Sequence, residues 1–398
     1  VKILFCISSL GIGGVERHVI DQLPVLAQVQ PGAEYAVCAF KTGAFEHEAA
    51  LKIDSAGGQL FVLERKGRFD LGFIRRFRDL VDQFRPDIIH AYNFGASFWA
   101  RVLMPGKASR IICHHGGISP VSKWYGRLIE KYLSRRTDVC IFNSHATQRV
   151  FENGIAIASP TRVIHNGLDI SKYPFAGDLR HSFDHNKPFE LLSLGRVSQI
   201  KACHLQLLAL NELRKRGRRV RLTVVGDGGC LPDLRSLADE LGLASEVRFE
   251  GFQNDVGAYY RKANLFFVTS YHETFCLSLC EAMLHGLVCI AADSGGPTEI
   301  IRHGENGFRV PCEDELAPEI MPGWRPLVYH GFSDKLERPM AVRPSRLADQ
   351  IEEVMDNYHQ LDGVRQDARR TGVHDFSMER HCRALVGVYE ELLKPERI

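Results

Sequence analysis

Short apolar runs alternate with longer amphipathic stretches along almost the whole chain. No other feature constrains the fold as strongly. Strands joined by helices lie parallel, with helices covering both faces of the sheet. In the first half the runs are 2–7, 35–40, 60–63, 87–92, 110–114, 139–143 and 162–165. A second series follows at 190–195, 221–225, 247–250, 265–269, 288–292 and 308–310. Residues 166–188 between them are polar and irregular, with Gly167, Pro174, Gly177 and Pro188, and read as the interdomain linker. The expected class is α/β, with two doubly wound parallel sheets in tandem and no shorter repeat. At 398 residues the chain has room for two domains or three. Residues 313–343 break the rhythm with Pro318, Pro322, Pro326 and Pro339, beside Trp324 and Tyr329, and read as an irregular insertion. From Ser345 to Leu393 the pattern is helical, with stripes at Leu347, Ile351 and Met355 and at Leu385, Val388, Tyr389 and Leu392.

Composition removes several function classes. The net charge of +2 carries no nucleic-acid signature. No apolar run approaches the roughly 18 residues of a spanning helix. The apolar first ten residues lead into a glycine turn without a small-residue cleavage site, so they read as a strand, not a signal peptide. The 11 cysteines are scattered, without a Cys-x2-Cys pair, which fits buried free thiols and a reducing cytoplasm. No histidine spacing suits zinc.

The segment His272-Glu273-Thr274-Phe275-Cys276-Leu277-Ser278-Leu279-Cys280-Glu281-Ala282-Met283 carries the sharpest chemical signal. It follows the run 265–268, and 277–284 reads as a short helix closed by Gly286. Glu273 then stands on a loop at a strand's carboxyl end, and Glu281 two turns into the next helix. Amides near Phe275, Cys276 and Leu277 form a helix start, which attracts phosphate. A carboxylate beside phosphate commonly accepts from both hydroxyls of a ribose. Two solvated glutamates are the plain alternative.

Other strand–helix junctions add polar groups. Ser8 to Arg17 contains Gly11, Gly13 and Gly14 after the first strand. Glu16 occupies the third glycine of a dinucleotide fingerprint, and no Gly-Lys-Ser/Thr follows, so neither motif is present. Gly195-Arg196 and Lys201 flank the junction opening the second series, and both cations could reach one diphosphate. Gly226 lies in the turn Val225-Gly226-Asp227-Gly228-Gly229. Phe252 follows the run 247–250 and suits base stacking or the core equally. Gly295-Gly296-Pro297 and Asn306-Gly307 follow later strands. His114 and His115 end a strand in the first half, where α/β sites gather.

Glu-x7-Glu followed by Ala-Met and Gly, with these loops in this order, resembles the retaining glycosyltransferases of family four, the glycosyl transferases group 1 type. The resemblance runs from Gly11 to Ile301 and into the terminal helices. It implies a GT-B fold of two Rossmann-like domains facing a cleft. The acceptor-binding domain would be 1–170, completed by a last helix at about 377–398, and the nucleotide-sugar domain 171–376. It implies transfer from a nucleotide diphosphate sugar to a glycan or lipid-linked glycan, in polysaccharide or lipopolysaccharide synthesis, with no cofactor and no metal. Arg196 and Lys201 would clamp the diphosphate. Glu281 would hold the ribose, Glu273 the donor sugar, and His115 (His114 as fallback) the sugar from across the cleft. Gly13, Gly14, Gly226, Phe252, Phe275, Cys276 and Leu277 would line the nucleotide. The family has glycine after the lysine; Ala202 departs from it, a change that a helix first turn tolerates. Ser144 and Asn166-Gly167 match further positions along the cleft.

Two basic helices, one with Arg68, Arg75, Arg76 and Arg78 and one with Lys123, Trp124, Arg127, Lys131, Arg135 and Arg136, suit an anionic membrane surface as well as plain solvation. The expected location is the cytoplasm, at the inner face of the membrane. A nucleotide-sugar epimerase and a non-catalytic nucleotide-sugar-binding protein are the alternatives.

Overall fold

The computed structural model describes every residue except 12, 68–69, 105–108, 119–122, 174–182, 185, 317–319, 321–325 and 395–398. Ile12, Arg68, Pro174, Gly177, Pro318, Pro322 and Trp324 therefore lie outside the described residues. The chain divides into two compact units, Val1–Asp169 with Phe376–Ile398, and Ile170–Asp375.

Unit 1 holds strands β1 (Lys2–Ile7), β2 (Glu34–Ala39), β3 (Gln59–Val62), β4 (Ile88–Tyr92), β5 (Arg110–His115), β6 (Val139–Phe142) and β7 (Thr161–Val163). All pair in parallel, in the order β3-β2-β1-β4-β5-β6-β7. Alternation along β1 sends Ile3, Phe5 and Ile7 to one face and Leu4 and Cys6 to the other. The first set packs with Val19, Ile20, Leu385 and Tyr389, and the second with Phe73, Phe77 and Ala100. Both faces are thus buried, as a parallel sheet requires. The helix Met378–Leu393 supplies Leu385 and Tyr389, so the end of the chain completes the core of unit 1.

Unit 2 repeats the plan with β8 (Phe189–Leu194), β9 (Val220–Val225), β10 (Val247–Gly251), β11 (Leu265–Val268), β12 (Val288–Ala292) and β13 (Phe308–Val310). The order is β10-β9-β8-β11-β12-β13, again parallel. After β8 the chain winds outward to one side, and from β11 to the other. The carboxyl ends of β8 and β11 therefore flank the topological switch point, where open α/β sheets bind ligands. Leu347, Ile351 and Met355, on the helix Pro344–Asp356, close the core of this unit.

The region 313–343 is more ordered than an irregular loop. Two antiparallel pairs stand there: β14 (Cys312–Glu315) with β17 (Met340–Val342), and β15 (Val328–His330) with β16 (Lys335–Glu337). Strands of three or four residues are too short to show a period, and Pro326 and Pro339 fall just outside them, so the sequence reads as loop.

Candidate active site

The loops at the unit 2 switch point are zipped together by backbone. Gly226, after β9, has φ +137°, and a Cβ there would sit 1.9 Å from the Gly195 carbonyl oxygen. Only glycine permits that approach. Gly226 N also donates to Gly251 O at 2.8 Å, which draws in the end of β10. On the other side, the Thr269 hydroxyl lies 3.1 Å from Ala202 O and 3.2 Å from Lys201 O, and Tyr271 N donates to Ile200 O at 2.9 Å. The two segments flanking the switch point are thereby fixed against each other.

This arrangement presents Lys201 to Glu273. The Lys201 ammonium pairs with Glu273 Oε1, which also accepts from Ser270 Oγ at 2.8 Å. Glu273 is buried, whereas the Lys201 side chain keeps 29% of its surface exposed. Burial by itself lowers the lysine pKa, but the adjacent carboxylate outweighs it and the net shift is upward. Arg196 is exposed and forms no ion pair among the described residues. A pocket lined by Ser193, Arg196, Lys201, Thr269, Ser270, Glu273 and Ser278 opens between them. It can take an anion and offers hydroxyl, ammonium and carboxylate groups beside it.

Two residues here hold unexpected backbone. Ala202 lies outside the first turn of its helix. It caps Cys203–Lys215 at φ +50°, in the left-handed region. A side chain there costs about 1–2 kcal/mol, so this departure from glycine is a strained one. Cys276, at φ +95°, caps Leu277–Leu284 in the same way. Its thiol is pushed up to about 12, first by burial and then by Glu273, so it is neutral and poorly nucleophilic near neutral pH.

The Glu273 loop is gripped from behind by residues 293–296. A Cβ on Gly295 (φ +64°) would lie 2.0 Å from Glu273 O, and one on Gly296 would lie 2.4 Å from Phe275 Cα. Gly296 N donates to Glu273 O at 2.9 Å, and Ser294 Oγ to Ser270 O at 3.1 Å. This brace is itself held by the β15–β16 hairpin. Asp293 accepts from Phe332 N at 2.7 Å and pairs with Arg309 at 2.9 Å, and Tyr329 O accepts from Gly295 N at 2.8 Å. Sequence reasoning missed this support, since nothing in residues 328–332 signals a long-range partner.

The remaining unit 2 candidates lie outside the pocket lining. Phe275, Cys276 and Leu277 form the turn into the helix Leu277–Leu284. Glu281, half-buried further along it, accepts from Tyr260 Oη at 2.9 Å and is outside the pocket lining. Tyr260 is fully buried and was not singled out; a tyrosine 21 positions away gives no local signal. Phe252 is 49% exposed just after β10, also outside the lining.

Gly13, Gly14 and His115 belong to unit 1. Gly13 caps the helix Gly14–Asp21, and the Glu16 carboxylate folds back so that a Cβ on Gly13 would meet it at 2.1 Å. His115 is fully buried, against Phe142 and Phe151, with Nε2 3.6 Å from Glu130 Oε1. Burial raises the Glu130 carboxyl, but hydrogen bonds from Arg101 at 2.6 and 2.8 Å, with His115 beside it, hold it well below the usual range. His114 is buried on the other face of β5, with Nδ1 3.3 Å from His90 Nε2, and burial lowers its pKa. The two imidazoles thus lie buried on opposite faces of β5. Ser144 caps the helix His145–Gly154, and Gly167 N donates to His18 Nε2 at 3.0 Å.

Comparison with known proteins agrees with this architecture. Residues 12–172 match the family model Glycosyltransferase Family 4, and residues 178–321 match Glycosyl transferases group 1. The chain is similar to the glycogen synthase of Mycobacterium tuberculosis, 27% identical over 278 residues, 66% of this chain and 64% of that protein. It thus spans just under two thirds of that relative's length. It is also similar to the lipopolysaccharide core biosynthesis glycosyltransferase LpsE of Rhizobium meliloti, 32% identical over 124 residues, 31% of this chain and 35% of that protein. Among solved structures, HepE of Anabaena in complex with UDP and glucose shares the fold, with a TM-score of 0.77 and 21% identity over 98% of this chain and 99% of that one. With a Family 4 domain in its first half and a group 1 domain in its second, the chain belongs to the group 1 glycosyltransferases of GT-B fold.

Proposed function

We propose that this protein moves a sugar from a nucleotide diphosphate sugar to a hydroxyl of a glycan or lipid-linked glycan, with retention and without a metal. The observation that carries the proposal is the Lys201–Glu273 pair beside the uncommitted Arg196 at the switch point of unit 2. As the bond to the leaving diphosphate breaks, negative charge grows on it. Arg196 as a fork and Lys201 as a point charge stabilise that charge. An ammonium has three donors, so Lys201 can serve a phosphate while keeping Glu273. Glu273, held by Ser270 and Lys201, orients the sugar hydroxyls and favours positive charge at the reacting carbon. Glu281, steadied by Tyr260, accepts from the ribose. The thiols of Cys203, which lines the pocket, and of Cys276 are both pushed up by burial and stay protonated near neutral pH, which suits a same-face mechanism in which the leaving phosphate takes the acceptor proton. Buried His115 is given no direct contact.

The LpsE resemblance favours a role in cell-surface glycan synthesis. No described helix is long and apolar enough to cross a membrane, and the proposed location is the cytoplasm, peripheral to the inner face of the membrane. The HepE complex makes UDP-glucose the first donor to test. A panel of nucleotide sugars is screened by thermal stabilisation, where ligand at about 100 Kd adds about 2.7 kcal/mol. The best donor is then given glycan acceptors in chelator, and the product anomer is read by NMR. The proposal predicts transfer with the donor's anomeric configuration. An inverted product, a metal requirement, or sugar conversion without acceptor overturns it.

A further inference from the structure

The helix Cys203–Lys215 carries a glutamine where its pattern asks for an apolar residue. Ala209, Leu210 and Leu213 lie three, four and seven positions after Gln206, so all four share one face. The three apolar members pack in the core with Val224 and Phe267. Gln206 is 2% exposed, and its Oε1 has no hydrogen-bond partner among the described residues. Buried amides are nearly always paired, because burial strips their water and an unmade hydrogen bond replaces it with nothing. The amide therefore weakens this core unless something binds it.

The same side chain lines the pocket that contains Lys201. Ser193, on β8, adds a hydroxyl to that lining. Among the described residues the Lys201 ammonium pairs with Glu273 alone, although an ammonium has three donors. One further donor serves the leaving diphosphate, and the third is unassigned. The pocket leaves about 20 Å³ for the centres of water molecules, room for one. An unassigned donor and an unpaired acceptor thus adjoin one small polar space.

We propose that Gln206 is a positioning residue for Lys201. One ordered water accepts from the ammonium and donates to the Gln206 carbonyl, and this bridge fixes the direction of the positive charge. A neutral amide suits that task. A second carboxylate would compete with the diphosphate for the ammonium, and an apolar side chain would leave the water unheld. The catalytic purpose rests on the proposed transferase reading; the bridge is a property of the free protein.

A crystal structure of the full chain without ligand, at a resolution that shows ordered water, tests the bridge directly. One water is expected within hydrogen-bond distance of both the Gln206 amide and Lys201 Nζ. Calorimetric titration with UDP, GDP and ADP tests its effect. Gln206→Leu should weaken the tightest of the three by at least about threefold. In a Lys201→Ala chain the same change should have no further effect, which a merely structural role cannot mimic. Gln206→Leu should melt no lower than the parent, since it removes an unpaired amide from an apolar stripe. With donor and acceptor present, kcat should fall about tenfold while the acceptor KM holds. The proposal is overturned if no water joins the two groups, or if Gln206→Leu binds and turns over like the parent. It is overturned too if the loss persists undiminished in Lys201→Ala, or if Gln206→Leu melts well below the parent, which would make the amide a structural group. Should no transfer be found, the water and the coupling still decide the bridge; should the bridge fail, transfer through Arg196 and Lys201 stands.

Discussion

Gly295→Ala should damage catalysis from outside the pocket. The new Cβ would sit 2.0 Å from Glu273 O, whereas ordinary contact begins near 3.4 Å. The Glu273 loop must therefore retreat by more than an ångström or the brace must open, and the Gly296–Glu273 hydrogen bond goes with it. Left-handed strain adds about 1–2 kcal/mol, and overpacking about 1–3 kcal/mol. A displacement of about 1 Å at a catalytic group costs about a hundredfold in rate. Gly304→Ala is the control: its φ is +82°, with nothing within 4 Å of the added carbon. It should show only the strain and normal turnover. Thermal unfolding and steady-state transfer kinetics on both variants separate the effects. If Gly295→Ala turns over like the parent, or is destabilised no more than Gly304→Ala, the brace does not position Glu273.

Two further outcomes follow from charge. Lys201→Ala should cost roughly 2–4 kcal/mol in the transition state, read from kcat/KM, and an unchanged value in a folded variant would reject the clamp. Unit 1 should be acid-labile through its buried histidines. Burial, partly opposed by the His165 carbonyl, lowers His381 from 6.5 to about 4, and His18, His90 and His114 shift the same way. The folded state stays neutral while the unfolded chain takes up protons below about pH 6.5, so stability is full above that value and falls as pH drops toward about 4. His381 alone should remove about 2 kcal/mol between about pH 7 and about pH 5, a loss that His381→Gln should abolish; an unchanged pH slope in that variant refutes this.

The parallel sheets were legible because helix and strand periods alternate so regularly, and because buried parallel strands write nearly continuous apolar runs. The candidate site was legible as a set of loops but not as a set of contacts. Lys201 and Glu273 lie 72 residues apart and were given separate duties; the adjacency of β8 and β11 makes them partners. The left-handed backbone at Cys276 has no local cause in its own sequence. A Cβ on Gly296 would lie 2.4 Å from the Cα of Phe275, the neighbour of Cys276, so a glycine loop distant in sequence packs directly against this turn. His115 shows how one position decides a face: along β5 it joins Phe142 and Phe151, while His114 joins His90.

The division of labour between the two glutamates tests the proposed site most directly. Calorimetric titration compares nucleotide diphosphate with the intact donor for the parent, Glu281→Gln and Glu273→Gln. Glu281→Gln should weaken both ligands, because it removes the ribose acceptor. Glu273→Gln should leave nucleotide diphosphate affinity nearly unchanged while turnover falls by at least about tenfold, roughly 1.4 kcal/mol of barrier. If Glu273→Gln instead abolishes nucleotide diphosphate binding and Glu281→Gln does not, the site is assigned backwards and the account fails.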